Sequence, residues 1–167
     1  ARLINDVRAL QGHGALIAAV KADVPVCLMH MQGQPRVMQQ DPSYEDVVKD
    51  VMAFLRNRIS ICNNAGIAED KIIVDPGFGF GKSLEHNYQL LANVEEVQKF
   101  NVPVLAGMSR KSMIGNLLQR EIHQRLAGNV AVATVAAQKG AQIIRVHDVK
   151  ETVDAVRVIN TINAYRN

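Results

Sequence analysis

The chain has 167 residues, 48% of them apolar, 21% charged and 4% aromatic, with no tryptophan. That is the balance of one globular domain with a sizeable core, and it excludes disorder and fibrous repeats. Nineteen Lys and Arg against sixteen Asp and Glu leave a net charge of +3, scattered rather than concentrated, so a small anionic substrate is expected and nucleic acid is not.

The predicted elements alternate between short apolar runs and longer amphipathic ones. Runs rich in Val, Ile and Leu predict buried strands at residues 3–7, 24–31, 72–75, 102–108 and 141–146. The clearest helix follows Asp41-Pro42-Ser43, with Ser43 as N-cap, Asp46 in the first turn, Val48, Val51, Met52, Leu55, Ile59 and Cys62 on one face, and Gly66 as the stop. A second opens at Ser83 and carries Leu84, Tyr88 and Leu91. A third starts within residues 109–112, and a fourth covers 125–138 before Gly140. The last spans residues 150–165, with Asp148 as cap and Val153, Val156, Ile159 and Ile162 on one face.

Such alternation predicts an α/β fold with a parallel sheet and right-handed crossovers. A closed (β/α)8 barrel needs eight units and about 250 residues, against about five here. An open doubly wound sheet and the later part of a barrel therefore both fit. No apolar run approaches the roughly 18–20 residues of a membrane span, so no membrane partner is expected. No leader is visible, and two cysteines make no disulfide framework; a cytoplasmic protein is expected.

In parallel α/β folds ligands gather where strands end. The strand ends here carry Asn5-Asp6, His30, Asp75, Ser109-Arg110-Lys111 and Arg145-Val146-His147. The stretch Asp75-Pro76-Gly77-Phe78-Gly79-Phe80-Gly81-Lys82-Ser83 has proline where a P-loop needs glycine, and it lacks the dinucleotide-binding glycine pattern. Phe78 and Phe80 are expected to give this loop an apolar surface. Asp75 suits a flat amidine-like edge held by two charge-assisted hydrogen bonds; alternatively it only caps a turn. Gly107-Met108-Ser109-Arg110-Lys111-Ser112 reads as a helix start that attracts carboxylate or phosphate, or as a solvated basic turn. Arg145 and His147 share one side of the last strand and suit a diphosphate or other oxyanion, unless Arg145 pairs structurally with Asp75. His30 reads as a hydrogen-bonded core histidine, Met29 as a pocket wall, and His13, His86 and His123 carry no role. Cys27 and His30 have no partners at zinc spacing.

Together, Ile4-Asn5-Asp6, Leu28-Met29-His30-Met31, the glycine-rich segment, the Ser109-Arg110-Lys111-Ser112 segment and Arg145-Val146-His147-Asp148-Val149 resemble dihydropteroate synthase, of the pterin-binding family. Residues 123–128 also resemble that family's helix start before the last strand. The resemblance implies a (β/α)8 barrel of which this chain is the C-terminal part, strands four to eight, as a single domain over residues 1–167. It implies condensation of 6-hydroxymethyl-7,8-dihydropterin pyrophosphate with p-aminobenzoate. Asn5 and Asp75 would bind the pterin, Lys111 its polar edge, and Arg145 and His147 the leaving pyrophosphate. Phe80, Lys111 and Ser112 would form the p-aminobenzoate site, with Met29 and Gly107 lining the pterin slot. Lys111, Arg145 and His147 would be the catalytic residues. The resemblance further implies Mg2+ bound with the substrate pyrophosphate, through a segment absent here, sulfonamide inhibitors, and a homodimer. The chain alone is expected to be inactive. A pterin-family methyltransferase and a non-catalytic anion-binding α/β module are the other readings.

Overall fold

The computed structural model describes residues 2–33 and 42–165. Five parallel strands follow one another in chain order. β1 (Ile4–Asp6) pairs with β2 (Val26–Met29), Asn5 opposite Cys27, and β2 pairs with β3 (Ile72–Asp75), Met29 opposite Asp75. β4 (Leu105–Ala106) pairs with β5 (Ile143–Ile144), and a parallel bridge between Val74 and Val104 joins the two sheets. Four strands are shorter than the apolar runs that predicted them, because apolarity reports burial and does not require a hydrogen-bonded ladder.

The sheet is curved and open. Arg145, one residue past β5, donates from Nη1 to Asn5 Oδ1 of β1 at 3.0 Å. In a flat sheet these strands would lie four spacings of about 4.8 Å apart, roughly 19 Å, beyond the reach of an arginine. The strands therefore curl toward a common interior, which decides for a partial barrel against an open doubly wound sheet.

Alternation along the strands sorts side chains into two layers. Val26, Leu28, Ile72, Val74, Val104 and Ala106 point outward and pack with the helices into the main core. The intervening positions, Asn5, Cys27, Met29, Asp75, Gly107 and Arg145, share the other face and so line the interior.

The helices are α1 (Ala15–Ala22), α2 (Val47–Asn64), α3 (Leu84–Ala92), α4 (Val94–Val97), α5 (Ser112–Leu118), α6 (Leu126–Gln138) and α7 (Val149–Ala164). α1 has no sequence signature: it opens at Gly14 with no side-chain cap. At α2 the cap is Asp46, not Ser43; its Oδ1 accepts from the amides of Val48 and Lys49, both at 3.1 Å. Ser43 instead exchanges hydrogen bonds with the Gln32 amide. Asp41 lies outside the described residues. Ser83 caps α3 as expected, and His86, given no role from sequence, completes a capping box with it. Asp148 stands at the start of α7 but makes no side-chain cap bond. It turns to Arg110 (2.6 Å) and Asn129 (2.7 Å) instead.

α7 packs on α6, but its apolar side is largely bare: Val149, Val153, Val158 and Ile162 are each more than two-fifths exposed. With Leu3, Leu105 and Ile143, the start of α7 forms an apolar trough of about 590 Å3. None of the described residues covers it. No described helix is long and apolar enough to cross a membrane.

Candidate active site

Asp75 ends β3 with its side chain 2% exposed. Its Oδ1 accepts the Gly77 amide at 2.7 Å, and its Oδ2 lies 3.2 Å from Arg145 Nη2. The turn cap and the pairing with Arg145, both alternatives to ligand binding on sequence grounds, are thus both present. They leave the carboxylate acceptor capacity, since each oxygen has two lone pairs. Burial pushes the Asp75 carboxyl up, opposed by the Gly77 amide and then by the cations Lys111, Arg145 and Lys82.

Arg145 bridges Asn5 and Asp75 across the interior, and Gly107 makes room for it. A Cβ at Gly107 would come within 2.8 Å of the guanidinium. Cys27, between Asn5 and Asp75 on β2, has its thiol pushed up to about 12, first by burial and then by the Asp75 charge. It stays protonated and is a poor nucleophile.

Lys111 stands just before α5. Its Nζ lies 4.5 Å from the centre of the Phe80 ring and donates to the Phe78 carbonyl. Burial lowers its pKa to about 8, with Asp75 opposing and Arg145 assisting. Ser112 opens α5 and is exposed. Phe78, expected on the loop surface, is fully buried in the main core. Two aromatics two apart take opposite sides, so only Phe80 faces the site.

His147 is held by Ser109, whose Oγ lies 3.0 Å from Nδ1 and 3.2 Å from the His147 amide. Lys111, Arg145, His147 and Gly107 share a cleft of about 190 Å3 with Ser109 and Val146. Met29, buried and opposite Asp75, borders a separate cleft of about 330 Å3 with Val7, Arg8 and Phe54.

Sequence reasoning missed the supports. The Arg110 amide donates to Asn129 Oδ1, whose amide in turn donates to Asp148. The Arg125 guanidinium donates to the Arg110 carbonyl at 2.8 Å and packs where a Cβ at Gly115 would clash. The resemblance of residues 123–128 to a family segment was the only signal for Arg125. His30 is buried as expected, and burial and then Lys82 push its pKa down to about 3. Among the described residues no three His, Cys, Asp or Glu side chains gather to hold a metal ion.

Residues 1–147 match the family described as "Pterin binding enzyme". The chain belongs to that family. Dihydropteroate synthase of Escherichia coli strain K12 is 55% identical over 168 residues, covering 100% of this chain and 60% of that relative. The solved structure of the Yersinia pestis synthase with a sulfonamide drug superposes with a TM-score of 0.97 at 55% identity, covering 99% of this chain and 61% of that one. The Xanthomonas albilineans synthase with 4-aminobenzoic acid has a TM-score of 0.92 at 49% identity, covering 98% and 58%. The chain is therefore homologous to a transferase, and it spans about 60% of the length of the curated relatives it matches.

Proposed function

We propose that the chain supplies strands four to eight of a dihydropteroate synthase barrel, and that the completed domain condenses 6-hydroxymethyl-7,8-dihydropterin pyrophosphate with p-aminobenzoate. The observation that carries this reading is the convergence of an amide, a carboxylate and a guanidinium, Asn5, Asp75 and Arg145, on one mouth beside Lys111 and Phe80. The bare trough along α7 supports the barrel reading, because preceding βα units would cover it.

In this mechanism the Asp75 carboxylate and Asn5 hold the polar edge of the pterin, and Met29 walls the slot. Arg145 and His147 take up charge on the departing diphosphate, which rises in the transition state as the C–O bond breaks. The amine of p-aminobenzoate attacks the exposed methylene carbon, so the chain's main contribution is positioning. Phe80 supplies an apolar wall for the ring, and Lys111 with the Ser112 end of α5 meets its carboxylate. Sulfonamides would compete at that subsite, in keeping with the drug-bound Yersinia relative. Magnesium would arrive with the substrate diphosphate and find its ligands outside this chain. The exposed apolar groove bordered by Leu117, Leu118 and Val135 supports a homodimer.

The test is Arg145→Ala in the completed domain. Turnover and pyrophosphate affinity are expected to fall, along with some stability as the buried Asp75 carboxylate loses its partner; a change in stability alone would leave Arg145 as a structural partner of Asp75. A second expectation concerns pH. Lys111 is a cation below about 8 and loses its charge above it, so p-aminobenzoate affinity should decline as pH rises through that value. Titration calorimetry between pH 6 and 10 reads this directly, and Lys111→Arg, which stays charged, should flatten the profile.

A further inference from the structure

The loop from Gly77 to Gly81 carries Phe80 and has no regular structure, yet its polar backbone groups are fastened almost one by one. The Gly77 amide goes to Asp75, the Gly79 amide to Asn87 Oδ1 and the Phe80 amide to the Gly77 carbonyl. The Phe78 carbonyl accepts from Lys111 and the Gly81 carbonyl from the Tyr44 hydroxyl at 2.7 Å.

Two loop carbonyls, those of Gly77 and Phe80, converge on one atom. Lys82 Nζ lies 2.9 Å from Gly77 O, 3.0 Å from Phe80 O and 2.9 Å from His30 Nδ1. The residue is 3% exposed, and it forms no ion pair with any described carboxylate. All three donors of an ammonium are therefore spent inside the protein, two of them on the loop that the lysine itself ends. The third contact is with His30 Nδ1, a neutral ring nitrogen given its lowered pKa, which accepts when Lys82 is an ammonium. Burial lowers the Lys82 pKa to about 7, and the two carbonyl contacts need only the two donors that a neutral amine also keeps. The loop also lies flat on the strand-end segment beneath it: a Cβ at Gly77 would meet the His30 carbonyl at 1.8 Å, and one at Gly81 the Gln32 carbonyl at 2.3 Å.

We propose that Lys82 is the internal strut of this loop, a positioning residue that never touches substrate and that orients Phe80, and with it Lys111, for the carboxylate-bearing aromatic amine. The subsite part of this inference rests on the reading under Proposed function; the strut does not. Its absence would leave the Gly77 carbonyl with only the Phe80 amide and take the lysine donor from the Phe80 carbonyl, and the loop would gain conformations in which the Phe80 ring no longer faces the Lys111 ammonium.

The test compares Lys82→Met, which keeps the stem and removes all three donors, with the unsubstituted chain by amide hydrogen exchange and by p-aminobenzoate and pterin titrations. Loop amides 77–81 are expected to exchange about tenfold faster or more while those of α2 hold, and p-aminobenzoate affinity to fall about tenfold, the scale of one lost charged hydrogen bond, with a smaller loss for pterin. Unchanged loop exchange, or equal loosening of loop and α2, overturns the strut. Equal loss for both ligands overturns its selectivity for the amine subsite. If Lys82→Met does not fold, His30→Leu withdraws one acceptor and decides instead: loosening confined to the loop supports the proposal, and none overturns it. An unsubstituted chain that binds no p-aminobenzoate counts against the functional reading, while the exchange comparison still judges the strut.

Discussion

Replacing Asp75 with asparagine is expected to weaken pterin binding by about 1–3 kcal/mol, the range for a hydrogen bond to a charged group, or roughly 5- to 150-fold in affinity. Asparagine suits the test because it keeps the size of the side chain and an oxygen to accept the Gly77 amide, so the turn after β3 survives. What changes is the second oxygen. A carboxylate there faces Arg145 and can accept from a bound N–H; an amide nitrogen there donates toward a donor. The cost falls in a site where Asp75 is 1% exposed, so water cannot replace the lost acceptor. Calorimetric titration of a pterin, with thermal unfolding in parallel, separates the outcomes. Unchanged affinity would reduce Asp75 to an anchor for Arg145.

The second large effect concerns turnover. The chain by itself is expected to release no detectable pyrophosphate from the two substrates, and activity is expected when the three preceding βα units are supplied. The physical grounds are on its surface. β1 and β5 each keep an edge without a strand partner among the described residues. The interior trough between Leu3 and α7 is open to water, which weakens every electrostatic contact made there. Pyrophosphate release, assayed beside an intact relative, checks this; a comparable rate from the chain alone would overturn it.

Much of the site was legible because a buried parallel strand leaves few choices. Once residues 72–75 form a strand, Asp75 stands at its carboxyl end, and period-two alternation puts Arg145 and His147 on one side together. Helix ends were legible where a cap had one candidate, as at Ser83, and misread where two polar residues competed, as with Ser43 and Asp46. Local pattern does not tell which of the two carboxyl or hydroxyl groups the incoming chain will present. Phe78 was misread for a related reason: in a glycine-rich loop no periodicity says which aromatic turns inward. α1 escaped notice because it is only eight residues long and opens at a glycine with no side-chain cap.

The order of elements, the parallel α/β class and the chemical character of each strand end follow from the sequence by itself, because apolar periodicity and residue type act over a few neighbouring positions. The partners across the interior were decided by the tertiary structure alone. Arg145 reaches Asn5 over 140 positions and Asp75 over 70, and Lys82 meets His30 over 52. Such pairs depend on the curvature of the sheet and on where buried polar groups find a partner once water is excluded, and neither quantity is written in any local stretch of chain.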